Sequence, residues 1–145
     1  GEVPDGELID ELGTAKVLRD GDDVTIVALA AMVPRAVKAA EELSAQHGIE
    51  ATVVDVRSLV PLDTQTILGE TAKTGRLVTV EENPRLCGWG AEVASIVADE
   101  IFWDLDGPII RITTPHIPLP AADELEDATM PSTERIVREI VEKID

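Results

Sequence analysis

VTIVALA, Val24 to Ala30, is an unbroken apolar run rich in β-branched residues, and Gly21-Asp22-Asp23 stands directly before it. A short run of this kind, bounded by turn residues, is the pattern of a strand buried on both faces, so it belongs at the centre of a parallel sheet. Downstream, Pro34 sits where a first helical turn tolerates a missing N–H, and Val33, Val37, Ala40 and Leu43 recur at helical spacing until Gly48 supplies a stop. The unit then repeats. TVVDV, Thr52 to Val56, predicts a second strand, Asp63 caps a helix over Thr64 to Lys73, and Gly75 ends it. A third parallel strand starts at Leu77 to Val80, followed by a loop from Glu81 to Gly90 and a helix from Ala91 to about Leu105 that carries Val93, Val97, Ile101 and Leu105 on one face. Ile109 to Thr113 predicts the fourth strand.

Upstream of the first unit, TAKVLR (Thr14 to Arg19) alternates small or apolar with polar residues and predicts an edge strand. At the other end Ser132 can cap a helix in which Ile136, Val137, Ile140, Val141 and Ile144 form one apolar stripe, so that helix must pack on the sheet. Strands alternating with helices at these lengths give an α/β fold with a mainly parallel sheet covered on both faces. Thr114 to Pro131 holds four of the nine prolines and reads as an extended arm laid on a surface. Residues 1–13 read as a linker and 14–145 as one domain.

The composition narrows the function classes. The 145 residues carry 12 Lys and Arg against 29 Asp and Glu, a net charge of −17, which repels phosphate backbones and anionic lipid and excludes nucleic-acid and membrane-surface binding. No apolar run approaches the roughly 18 residues that cross a bilayer. The single Cys87 permits no internal disulfide, and the cytoplasm is the expected compartment. Because the chain opens on Gly1 rather than Met, it is expected to be a piece of something longer.

Chemistry-bearing residues are sparse. LCGWGAE, Leu86 to Glu92, could use Gly88 and Gly90, with Glu92 beside them, to hold an anion at a helix start, or could simply let a helix and a strand pack closely. Its spacing is neither G-x-G-x-x-G nor a P-loop. Glu81 and Glu82 stand at the carboxyl end of a strand, where open α/β sheets place ligands, but adjacent strand residues face opposite sides, so at most one looks into a crevice. The other reading has them accepting from local N–H groups or Arg85. Arg57 shares a strand face with Asp55, so an internal ion pair competes with contact to a substrate or neighbouring domain. His47 suits the last turn of the first helix. His116, in the proline arm, is either a site residue or part of the arm's packing. No catalytic set and no metal-ligand spacing can be nominated. Trp103 falls on a helical wheel with Glu92 and Asp99, away from the apolar stripe, which marks an interface unless the arm folds back over it.

The succession of DVTIVALAAMV, VVDVRSLVPLD, VEENPRLCGWGAE, TTPHIPLP and LEDATMPSTERI resembles the C-terminal domain of the β subunit in thiamine-diphosphate-dependent 2-oxoacid dehydrogenases of the pyruvate, branched-chain and acetoin type. The resemblance runs from about Leu12 to Ile144; transketolase and deoxyxylulose-phosphate synthase share the domain more distantly. It implies a three-layer α/β/α sandwich on a five-stranded mixed sheet with the first strand antiparallel. It also implies that thiamine diphosphate and Mg²⁺ are held by other domains, that catalytic residues lie outside this chain, and that the domain supplies subunit contact, one wall of the substrate channel and a docking surface. Arg57 matches an arginine thought to contact substrate phosphate in the deoxyxylulose-phosphate branch, and Glu81 and His116 are the other channel candidates. Ile117 stands where the family pattern has Thr, and Ala121 where an aromatic is usual. The implied partners are an α subunit, a second β subunit and the small basic binding domain of a dihydrolipoyl acyltransferase. Asp99, Trp103, Asp104 and Asp106 form the expected docking cluster, with Glu142 and Asp145 joining it if the third and fourth parallel strands adjoin.

Overall fold

The computed structural model describes residues 5–7, 9 and 11–144. Its strands are β1 (Lys16–Arg19), β2 (Val24–Ala28), β3 (Ala51–Asp55), β4 (Leu77–Pro84) and β5 (Ile110–Thr114), in the spatial order β1-β3-β2-β4-β5. Its α-helices are α1 (Met32–His47), α2 (Thr64–Thr74), α3 (Trp89–Glu100), α4 (Asp123–Thr129) and α5 (Thr133–Ile144). β1 runs antiparallel to β3, and the other neighbours pair in parallel. β2 is central, with all five residues buried and Ile26 opposite Val53 on one side and Val78 on the other. It ends two residues before the apolar run does, because Ala30 takes a left-handed φ of 52° that turns the chain into α1.

Strand side chains alternate between faces, and the two faces carry separate cores. Ile26, Val53, Val78 and Ile112 meet Leu43 of α1 and Ile136 and Ile140 of α5 on one side. Val27, Val54 and Leu77 meet Ile67 of α2 and Val93 and Val97 of α3 on the other. The three layers follow from that division. Each fully buried Ile on α5 contributes about 1.5–3 kcal/mol relative to exposure, so the stripe is what holds this helix to the sheet.

The ends of α1 and α2 match the sequence reading. Gly48 and Gly75 take left-handed φ values of 68° and 67° after α1 and α2, and Asp63 Oδ1 accepts the Thr66 N–H at 3.1 Å. Asp63 does more than cap, since its Oδ2 accepts the Ala15 N–H at 3.0 Å and ties the approach to β1 onto α2. Burial pushes the Asp63 carboxyl up, but the Thr66 hydroxyl and the Thr66 and Ala15 N–H groups outweigh it and hold the group below its ordinary value.

Three expectations are corrected. The third helix stops at Glu100, and Phe102–Asp104 form a separate 3-10 turn, so Trp103 is not on a helix face. The cause is tertiary: the Asp106 N–H donates to the Gly75 carbonyl at 2.8 Å, and Leu105 returns to the core, which the helix continued straight would not allow. β4 continues through Glu81 to Pro84, with a register irregularity against β5 between Val80 and Pro84. Within the proline arm lies the short helix α4, whose first turn holds Asp123, Glu124 and Glu126, where acids suit the helix dipole. α4 buries none of its residues. The arm is held at its far end, where Arg35 donates to the Pro131 carbonyl at 2.9 Å and to Asp127 at 3.2 Å.

Candidate functional site

β4 and β5 build a charged knot beneath α3. Leu77, Thr79 and Glu81 face the α2 and α3 layer by alternation, and Arg111 of β5 lies opposite Thr79. Glu81 Oε1 accepts from Arg111 Nη2 at 2.9 Å and Nε at 3.2 Å, and from the Thr79 hydroxyl at 3.4 Å. Its Oε2 accepts the Gly90 N–H at 2.9 Å and the Asn83 amide at 3.0 Å. Arg111 also donates to the Arg85 carbonyl at 3.0 Å, so the pair grips both ends of the turn between β4 and α3. The Glu81 side chain is 0% exposed and that of Arg111 11%, and such a pair is tolerated in a core only because partners surround the carboxylate.

Gly90 is the second residue of α3, so the Glu81 carboxylate sits at that helix's positive end. The glycine-rich turn therefore does bind an anion, and the anion is the chain's own side chain. A Cβ on Gly88 would stand 2.3 Å from Glu81 Oε2, and one on Gly90 2.3 Å from Oε1. Gly88 has an ordinary φ of −71°, so closeness rather than backbone freedom requires glycine there. The cradle is filled, and the diphosphate of thiamine diphosphate does not fit it. Glu92 points into solvent one turn on, and Glu82 is exposed on the face away from the knot.

The three channel candidates do not converge. Glu81 is sealed under α3 rather than presented to a crevice. Arg57 is exposed just past β3, with φ 58°, and its N–H donates to Asp55 Oδ1 at 3.1 Å; it lines a cleft of about 200 Å³ with Leu12, Thr14 and Ser58. β2 lies between β3 and β4, which puts Arg57 about 10 Å across the sheet from Glu81. His116 is exposed in the turn after β5. Among the described residues no group of three or more His, Cys, Asp and Glu could hold a metal.

The aromatic site is open. Trp103 is 92% exposed and Phe102 55%, their rings meet edge to face at 5.1 Å, and the arm does not cover them. Asp99, Asp104 and Asp106 are exposed nearby in sequence. β4 and β5 do adjoin, yet α3 and α5 pack on opposite faces, so Glu142 is not on the same layer; Asp145 lies outside the described residues. Sequence reasoning missed Arg111, Phe102 and Arg35. For Arg111 there was a signal: a lone charge inside IRITT, a strand otherwise apolar or Thr, must find a partner if the strand is covered.

The family of the transketolase C-terminal domain matches residues 13–136. The β subunit of acetoin:2,6-dichlorophenolindophenol oxidoreductase from Bacillus subtilis (strain 168) is 46% identical over 138 residues, covering 94% of this chain and 40% of that protein. The pyruvate dehydrogenase E1 component subunit β of Leifsonia xyli subsp. xyli is 41% identical over 143 residues, covering 99% of this chain and 42% of that protein. Among solved structures, an inactive β4 tetramer of a split-gene transketolase matches with a TM-score of 0.78 and 32% identity, covering 99% of this chain and 45% of that one. The chain thus spans about 40% of the length of the curated relatives it matches. With its antiparallel edge strand, its two-faced core and a match that runs from Gly13 to Ile136, the chain belongs to the transketolase C-terminal domain family.

Proposed function

We propose that this chain is the C-terminal assembly and docking domain of the β subunit in the decarboxylating component of a 2-oxoacid dehydrogenase complex. The whole enzyme would oxidatively decarboxylate a 2-oxoacid and pass the acyl group to lipoamide. The observation that carries this reading is the match to β subunits over 94% and 99% of the chain at 46% and 41% identity. The geometry supports a supporting role, because the glycine cradle at the start of α3 is filled by Glu81. That favours it over a free-standing anion-binding module, and the β-subunit relatives favour it over a transketolase or deoxyxylulose-phosphate synthase. Thiamine diphosphate and Mg²⁺ belong to other domains in this reading, an α subunit and a second β subunit complete the enzyme, and the setting is cytoplasmic. Supplied with thiamine diphosphate, Mg²⁺ and pyruvate or acetoin, the chain alone is expected to be silent, and turnover is expected once cofactor-bearing polypeptides are added. Turnover by the chain alone overturns the assignment.

Trp103 and its acids are the proposed seat of the small basic acyltransferase binding domain, with opposite charge speeding encounter and the aromatic anchoring the complex. Calorimetric titration at two ionic strengths should show weaker binding in higher salt. Asp106→Lys should raise the dissociation constant about tenfold, or roughly 1.4 kcal/mol. Equal affinities for wild type, Asp106→Lys and Trp103→Ala place the docking site elsewhere.

A further inference from the structure

The charge of this chain is unbalanced in sign rather than gathered in one region. Asp and Glu outnumber Lys and Arg by 29 to 12, and most of the cations are already committed. Arg19, Arg35, Lys38, Arg111 and Arg135 each hold a carboxylate, and Lys73 is shared by Asp20, Asp22 and Glu70. The excess acids are therefore left to solvent, and they occur on both helical layers and on the arm. Glu41 of α1, Glu92 and Glu100 of α3, Glu124 of α4 and Glu142 of α5 are exposed, and none of them stands in an ion pair among the described residues.

Folding concentrates that excess. A chain of 145 residues contracts from a radius of gyration of about 40 Å to about 15 Å, which crowds the same carboxylates into a far smaller volume. Spread over a surface of 8263 Å², a net charge of −17 puts uncompensated charges about 22 Å apart, inside the screening length of about 30 Å at 10 mM salt and well beyond the roughly 8 Å of 150 mM. The apolar gain that opposes this repulsion comes from small side chains. Buried positions such as Ala28, Ala36, Ala39, Ala40 and Ala51 each carry a single methyl group, and Phe102 and Trp103 belong to neither core.

We infer that the native fold of this domain is conditional on ionic strength: mobile cations accumulate around the compact acidic state, and their depletion at low salt unfolds it. The inference stands apart from the β-subunit reading and does not rest on it. Two kinds of ion pair bear on its sign. Screening weakens exposed pairs such as Arg35 with Asp127, but pairs of that kind contribute little to stability. The pair of Glu81 with Arg111 is buried and is hardly screened. The summed repulsion of the unpaired acids therefore decides the direction, and stability rises with salt. A diffuse cation atmosphere suffices for this, since among the described residues no three acids, His or Cys are gathered closely enough to hold a metal ion.

The test is thermal and urea unfolding of the chain in KCl between about 10 and about 500 mM, a range across which the screening length falls several-fold. The folding equilibrium constant should rise about tenfold and the melting temperature by about 5 °C, with most of the gain reached by about 150 mM. The double variant Glu41→Lys, Glu100→Lys replaces two exposed acids by cations on opposite layers and should flatten the rise. Arg138→Glu, which turns an exposed cation into an acid, should steepen it. Tetramethylammonium chloride at equal ionic strength should act as KCl does. Stability that is flat or falls as salt rises, charge variants that keep the wild-type slope, or a chain with no folding transition at any ionic strength each overturn the inference. A gain produced by potassium and not by tetramethylammonium would assign the effect to a bound ion and overturn it as well.

Discussion

Glu81→Ala is expected to lower the stability of the domain by about 3–5 kcal/mol, the range for removing one partner of a buried ion pair. Three losses combine. Arg111 is left with its guanidinium largely buried and no carboxylate, the Gly90 N–H at the start of α3 loses its acceptor, and Asn83 loses the bond that orders the turn. For a domain of this size the melting temperature should fall by roughly 10–16 °C. Arg111→Ala should cost a similar amount, since it strands the carboxylate instead. The double variant should cost less than the sum, because neither charge is then left unpaired. Chemical denaturation of the four proteins measures the cycle. A loss below about 1 kcal/mol for Glu81→Ala would show that water satisfies the knot, contrary to the full burial of its carboxylate.

Gly90→Ala is the second large effect. The new methyl carbon would stand 2.3 Å from Glu81 Oε1 and 2.6 Å from the Thr79 hydroxyl oxygen, distances that real contacts do not reach. Neither neighbour can swing aside, since Glu81 is tied to Arg111 and Thr79 lies within the β4 ladder. Overpacking alone costs about 1–3 kcal/mol, and displacing a buried carboxylate brings the expected loss to the upper end of that range. The mechanism has a signature in the background of Glu81→Ala: there the carboxylate contact is gone and only the Thr79 contact remains, so the added cost of Gly90→Ala should be clearly smaller than in the wild type. The same cost in both backgrounds would mean that Thr79, rather than the carboxylate, makes glycine necessary.

How much of this was legible in the sequence follows from the range of the forces involved. VTIVALA, the stripe on α5, the caps at Asp63 and Ser132 and the stops at Gly48 and Gly75 act over a few residues, and each took the position its neighbours dictate. Burial of both faces of β2 requires helices above and below, so the layered α/β class was contained in the pattern of apolar residues alone. Periodicity failed where a distant group intervened. Val93, Val97, Ile101 and Leu105 keep helical spacing on paper, yet the chain leaves the helix at Ile101 and Asp106 bonds to Gly75, some thirty positions away in sequence.

The site shows the same boundary more sharply. From the sequence, Gly88 and Gly90 stated only that backbone must be approached closely, and Glu81 only that a carboxylate stood at a strand end. That the carboxylate itself fills the glycine cradle depends on β5 lying beside β4, which brings Arg111 within 2.9 Å of it across 30 residues of sequence. Strand order is decided by how whole layers pack, a sum over many weak contacts that no local pattern encodes. Local chemistry thus determined the elements and which residues were unusual; only the tertiary arrangement decided that Glu81 and Gly90 serve each other, and that Trp103 stays exposed.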